Sequence, residues 1–185
     1  MTRPIHDNPN SLFPEDVLDQ ELNDKTWRVA HCKSRREKAL ANFLVGEKIG
    51  YYLPMVLQPQ ASKKRVRLSL IPLFRGYLFF KSSDLERYRA MCSNHIARII
   101  DIQDHKRLIT ELKKISQVLG QKVPVYPFDF VQTGQWVRIK KGPFKDLEGI
   151  VVQKKDTFRL VLSVTCIMQS ISIEIDAEMI EPLEF

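Results

Sequence analysis

Residues 71–80 read IPLFRGYLFF: eight of the ten are apolar if the proline is counted, with an arginine and a glycine set among them. Read as one strand, alternate side chains point to opposite faces. Leu73, Arg75, Tyr77 and Phe79 then share one face, and Phe74, Gly76, Leu78 and Phe80 the other. A sheet needs only one oily face to build a core. A strand with two must lie in a sheet covered on both sides, or in one that keeps a face for a partner.

The flanking pattern restricts the sheet further. TWRVAHC (26–32) alternates and predicts a strand with Trp27, Val29 and His31 on one side. Ser34 followed three residues later by Glu37 predicts a capping box opening a helix, with Ala39, Leu40, Phe43 and Leu44 buried and Gly50 as its stop. YYLPMVLQP (51–59) reads as a second strand interrupted by Pro54, and ASKKRVR (61–67) as a basic hairpin tip. After the opening stretch, Ser83 and Glu86 repeat the capping box, and Leu85, Tyr88, Met91 and Cys92 share one helical face. HIARIIDI (95–102) is a further strand. Leu108, Ile109, Leu112, Ile115 and Leu119 mark a third helix ended by Gly120.

The order β-α-β-β-α-β with an added helix predicts an α+β domain, a ferredoxin-like antiparallel sheet carrying helices on one face. That domain is expected over residues 24–120, preceded by a flexible acidic tail (1–23) and followed by a linker (121–132) with prolines and no clean period. Beyond it QWVRI, GIVVQKK, FRLVLSVT and SISIEID alternate with turn signals, so residues 133–185 predict a small closed β-barrel.

Charge follows these boundaries. The net charge is +7. Residues 1–23 carry one basic and five acidic residues, whereas residues 24–122 carry 21 basic and 8 acidic. All the excess positive charge therefore belongs to the first domain, which points to a polyanion or an acidic surface there. No apolar run approaches the ~20 residues of a membrane span and no apolar leader opens the chain, so a cytoplasmic protein is expected. Cys32, Cys92 and Cys166 are odd in number and far apart, which fits buried thiols better than disulfides or a metal.

Catalytic readings find little support. His31 and Cys32 are neighbours on a strand and face opposite ways, so they cannot pair with each other. His95 and His105 have no cysteine or acidic cluster at metal-ligand spacing, and no phosphate-binding loop or nucleophile elbow is present. No cofactor, metal or catalytic residue is expected.

GQWVRIKKGPFKDLEGIVVQ (134–153) places Gly134, Val137, Ile139, Gly142, Phe144, Gly149, Ile150 and Val151 at the positions of a KOW motif. Gly142 and Gly149 are expected at tight turns, and Val137, Ile139 and Val151 inside the barrel. Ahead of it WRVAHCKSRREKALANFL, YYLPM and PLFRGYLFF stand in order. Together, from about Trp27 to Leu183, these stretches resemble the NusG family of transcription elongation factors. They imply an NGN domain followed by an SH3-like KOW barrel. The resemblance is closer to specialised RfaH-like or capsule-operon antiterminators than to the housekeeping factor. Where the latter has an IFGRATPVEL-like turn, this chain has CIMQSISIEI (166–175), which puts engagement of the Rho termination factor in doubt.

The resemblance implies that the uncovered sheet face receives the clamp helices of the largest subunit of RNA polymerase, through Val29, His31, Phe74, Tyr77 and Phe79. It puts Lys33, Arg35 and Arg36 near the non-template DNA strand. Lys63, Lys64, Arg65 and Arg67 resemble the loop that family members extend toward the opposite pincer or upstream DNA. Ile167 and Met168 are candidates for a second partner, such as a small-subunit ribosomal protein. The implied action is processive elongation and antitermination of particular operons by a monomer. The alternative is a ribosome-associated or RNA-binding KOW protein.

Overall fold

The computed structural model describes residues 8–62, 65–121, 123–128, 134–154 and 157–183. The chain divides into two compact units, Met1–His105 and Lys106–Phe185. In the first, strands β1 (Leu12–Phe13), β2 (Thr26–Cys32), β3 (Gly50–Tyr52), β6 (Tyr77–Ser82) and β7 (Ile96–Asp101) form one antiparallel sheet in the order β1-β3-β6-β2-β7. Among the described residues, strands β4 (Met55–Ser62) and β5 (Arg65–Pro72) pair only with each other, as a separate two-stranded sheet. Helices α1 (Glu37–Gly46) and α2 (Asp84–Cys92) connect strands of the main sheet. Leu40, Ala41 and Leu44 of α1 and Ala90 of α2 pack with Ala30, Cys32, Tyr51, Leu78 and Phe80 into one buried cluster.

Several local expectations change. IPLFRGYLFF is two strands and not one: β5 ends at Pro72, residues 73–76 turn, and β6 starts at Tyr77. The turn closes through the Tyr77 N–H donating to the Phe74 carbonyl at 3.1 Å, with Gly76 at φ +84°. Strand parity therefore does not run back through Gly76 to Phe74. The expected capping box at Ser34 is absent. Helix α1 begins at Glu37, its N-cap Arg36 makes no side-chain cap bond, and Arg35 takes a left-handed φ of +58°. The Glu37 carboxylate accepts the Gly76 N–H at 2.6 Å instead, tying the start of the helix to the turn before β6. The box at Ser83 forms as expected, with both reciprocal bonds to Glu86.

The expected stripe on α2 is not buried. Leu85 and Tyr88 are 61% and 67% exposed, Met91 and Cys92 are exposed too, and only Ala90 is buried. The small Ala90 side chain lets the helix lie close on the sheet, and at 100° per residue positions 85, 88 and 92 then turn away from it. Residues 8–23 are also no loose tail: β1 pairs with β3, Val17 and Leu18 are buried, and the Tyr51 hydroxyl donates to the Asn10 carbonyl at 2.8 Å.

In the second unit, β8 (Tyr126–Phe128), β9 (Gln135–Ile139), β10 (Glu148–Lys154), β11 (Thr157–Val164), β12 (Gln169–Ile175) and β13 (Ile180–Pro182) form an antiparallel sheet ordered β13-β9-β10-β11-β12-β8. Part of the expected linker is thus strand β8. Helix α3 (His105–Gly120), expected with the first domain, groups with this unit from Lys106 onward. Glu111 accepts both the N–H and the hydroxyl of Thr165, at 3.0 and 2.6 Å, and Lys114 donates to the Glu148 carbonyl at 3.0 Å. Gly142 makes a turn at φ +88°, but Gly149 lies inside β10. There a Cβ would stand 2.7 Å from the Val161 carbonyl oxygen, so the glycine permits close strand approach. Val137 and Ile139 are buried as expected; Val151 shares their face by register but is half-buried, and Ile150 is buried on the opposite face.

The thiols differ in burial. Burial, with the Glu37 carboxylate beside it, pushes Cys32 up to about 12, and burial near Glu111 does the same for Cys166. Cys92, expected buried, is exposed. At pH 8 iodoacetamide should therefore modify Cys92 alone within minutes and all three thiols once the chain is unfolded, as read by mass spectrometry. Rapid native labelling of Cys32 would contradict this packing.

Candidate polymerase-docking and nucleic-acid interface

Register places the aromatic residues. β2 pairs with β6 so that Val29 faces Phe79 and His31 faces Tyr77, while β3 places Tyr52 beside Phe79. Cross-strand partners share a face. The side of the sheet away from the helix cluster therefore carries Tyr52, Phe79 and Val29 in one row and Tyr77 and His31 in the next. Phe74, carried by the turn, meets Phe79 edge to face at 6.2 Å between ring centroids. The His31 and Tyr77 rings lie 5.2 Å apart, tilted by 40°. All five residues expected on this face are brought together, including Phe74, whose place the Gly76 turn provides and strand parity alone would not.

This face is not bare, however. Val29 and Phe79 are fully buried and Phe74 is 2% exposed; only His31 and Tyr77 remain half-exposed. The reason is the size of the apolar band. Leaving side chains of this size in water costs roughly 1.5–3 kcal/mol each, and Trp27 and Tyr52 extend the band. What reaches solvent is a two-ring rim, His31 and Tyr77, beside a buried apolar row.

The cations gather at the neighbouring end of the sheet. Lys33, Arg35 and Arg36 are all exposed in the β2–α1 connection. The Lys33 N–H donates to the His95 carbonyl at 2.8 Å, and its ammonium to the Asn94 side chain. Arg98 is the cross-strand partner of His31 and is exposed, as is Arg75 beside the Gly76 turn. Burial, then the charges of Arg36 and Lys33, lower the pKa of His95, a sign that positive charge is crowded here. None of Arg75, Arg98 and His95 is expected from sequence at a cationic edge: Arg75 is placed only on the strand face with Tyr77 and His95 is weighed only as a metal ligand. Their signal was long-range pairing, which no local spacing displays.

Other expected residues are dispersed. Lys63 and Lys64 lie outside the described residues; Arg65 and Arg67 lie on β5, where Arg65 pairs with Ser62 and Arg67 with Gln60. Ile167 is buried at 7%, so only Met168, 66% exposed and at φ +51°, projects from that turn. Among the described residues no group of three or more His, Cys, Asp or Glu side chains could hold a metal ion, and no helix is long and apolar enough to cross a membrane.

The family model described as transcription termination factor NusG matches residues 25–129, more than half of the chain. No curated protein matches it. Among solved structures, one on domain interaction in Thermotoga maritima NusG is 16% identical, covering 89% of this chain and 100% of the other, with a TM-score of 0.47. A crystal structure of the MjSpt4:Spt5 complex is 15% identical, covering 86% of this chain and 98% of the other, with a TM-score of 0.31. With the matched span running from the strand that carries Val29 and His31 past the end of α3, the chain belongs to the NusG family of transcription factors.

Proposed function

We propose that this chain is a cytoplasmic NusG-like regulator that rides on elongating RNA polymerase as a specialised, RfaH-like antiterminator. The first unit acts as a ferredoxin-like NGN domain and the second as an SH3-like KOW barrel. The clamp helices of the largest polymerase subunit rest on His31 and Tyr77, held from below by Val29, Phe74 and Phe79. The observation that carries this reading is the half-exposed His31–Tyr77 ring pair in the row next to the buried Val29, Phe79 and Tyr52 on the same sheet face. Aromatic anchors fixed by packing are the residues that dominate docking energies, and a helical partner needs a few such anchors in a row.

Lys33, Arg35 and Arg36, with Arg75 and Arg98 beside them, line the path of the non-template strand and contact its phosphates. The β4–β5 hairpin, with Arg65 and Arg67 toward its tip, reaches the opposite pincer. A factor gripping both pincers opposes the opening that accompanies pausing, so elongation becomes processive without any chemical step. Met168, next to the buried Ile167, offers the barrel's contact to a small-subunit ribosomal protein.

The test is transcription of a long template by purified core polymerase with and without the protein. Dwell times at strong pauses should fall by at least twofold in its presence. Unchanged dwell times with saturating protein would reject the elongation reading, and binding to free RNA with no effect on polymerase would favour the RNA-binding KOW alternative.

A further inference from the structure

The second unit contains a cavity of about 460 Å³ whose lining the transcription reading does not use. It lies between α3, which supplies Arg107, Thr110, Glu111 and Lys114, and the outer side of β9–β11. We propose that this cavity binds a small planar aromatic anion, with the ring laid along Trp136, Ile150 and Val161 and the anionic group held at Lys114 and Arg107.

Size is the first support. Organic-ligand sites occupy roughly 300–1,000 Å³ and combine an apolar wall with a few converging polar groups. Here the wall is one cross-strand row: Ile150 pairs with Trp136 on one side and with Val161 on the other. Adjacent strands lie about 4.8 Å apart, so the row spans about 10 Å, room for a fused two-ring system. Trp136 is 40% exposed although it stands within the sheet, so its indole is accessible from the cavity side.

The second support is which of the charged groups in the lining already face an opposite charge. The lining holds two cations, Arg107 and Lys114, and two carboxylates, Glu111 and Glu148. Both carboxylates are already engaged. Glu111 accepts the Thr165 N–H and hydroxyl and the Arg107 Nε–H, at 3.0, 2.6 and 3.0 Å. Glu148 Oε1 accepts two N–H groups of Arg138, at 3.0 and 2.7 Å. Lys114 donates to a backbone carbonyl, a neutral acceptor, at 3.0 Å. Its ammonium is half-buried, and burial pulls its pKa down despite Glu148 and Glu111 nearby. An anion delivered to Lys114 offsets that desolvation, whereas a cation would compete with the N–H and hydroxyl groups that Glu111 and Glu148 already hold. A ring against the wall and a negative group on the rim satisfy both halves of the site. A ring alone or an anion alone satisfies one.

Mononucleotides and aromatic carboxylates share this chemistry, and the experiment separates them. The full chain is titrated with guanosine 5′-monophosphate, adenosine 5′-monophosphate and indole-3-acetate, followed by calorimetry and by tryptophan fluorescence where the ligand's own absorption permits. Adenosine and inorganic phosphate serve as the ring-only and anion-only controls. At least one aromatic anion should bind saturably with a dissociation constant below 1 mM, at least tenfold tighter than either control. Lys114→Gln should weaken it at least tenfold without moving the thermal midpoint, and Trp136→Ala should abolish it in calorimetry. Should Lys114→Gln fail to fold, Arg107→Gln takes its place with the same expectation. No saturable binding of any aromatic anion, equal binding of phosphate, or unchanged affinity in a folded Lys114 or Arg107 variant would each overturn the proposal.

Discussion

Phe79→Ala should lower the stability of the first unit by about 3–5 kcal/mol, the usual cost of emptying a fully buried phenylalanine site. Phe79 is 0% exposed, lies between Val29 and Tyr52 in the sheet, and packs edge to face on Phe74. Truncation removes the transfer energy of the ring and leaves a void that strand residues cannot close, because their Cα positions are held by ladder bonds on both sides. Tyr77→Ala removes a half-exposed ring at the next position on the same face of the strand and should cost about 1 kcal/mol or less. Urea denaturation of the full chain, read by a probe in the first unit, distinguishes the two. Comparable losses would mean that Tyr77 is as much a core residue as Phe79, and the rim would have to be abandoned.

Gly149→Ala should be nearly as damaging to the second unit, at about 3 kcal/mol, the upper end of overpacking costs. The added methyl would sit 2.7 Å from the Val161 carbonyl oxygen and 3.1 Å from methyl carbons of Leu160 and Leu162. The leucine side chains can rotate, but the carbonyl is backbone and its strand is held by the β10–β11 ladder. Relief requires the two strands to part, which breaks ladder bonds next to Ile150 and Val161. Gly142→Ala is the informative comparison, since the atom nearest its Cβ is the Met179 sulfur at 3.9 Å and the cost there comes from φ +88°. It should fall near 1 kcal/mol. A thermal shift for Gly149→Ala no larger than that for Gly142→Ala would show that the strand contact is soft.

These two sites also show what local pattern can and cannot convey. Strands β2, β7, β9, β10, β11 and β12 were legible because their apolar pattern is local, and the Ser83 box was legible because its partner stands three residues away. The Ser34 box had the same letters and failed, because Glu37 has a stronger claimant in the Gly76 N–H, 39 residues on. The α2 stripe had helical spacing and failed because Ala90, a residue of little hydrophobic weight, sets which side meets the sheet. Residues 8–23 read as a tail because a two-residue strand and two buried aliphatics make no period, although pairing with β3 orders them.

The candidate site divides the same way. Val29 with His31, and Tyr77 with Phe79, follow from strand parity, while Phe74 depends on a turn that parity cannot describe. Burial was the larger departure. Sequence marks a side chain as apolar, but whether it meets solvent depends on how wide the apolar band becomes once five strands lie together. Arg75, Arg98 and His95 reach the cationic edge through pairing between segments more than forty residues apart, and so no charge run announced them.

The central claim is that a helical element of RNA polymerase rests on His31 and Tyr77. Capture of purified core polymerase by the immobilised chain measures it directly, comparing the wild type with the His31→Ala/Tyr77→Ala variant after both show the same thermal midpoint. The account predicts that the double variant retains less than a tenth of wild-type capture. Capture equal to wild type by the folded double variant would contradict it.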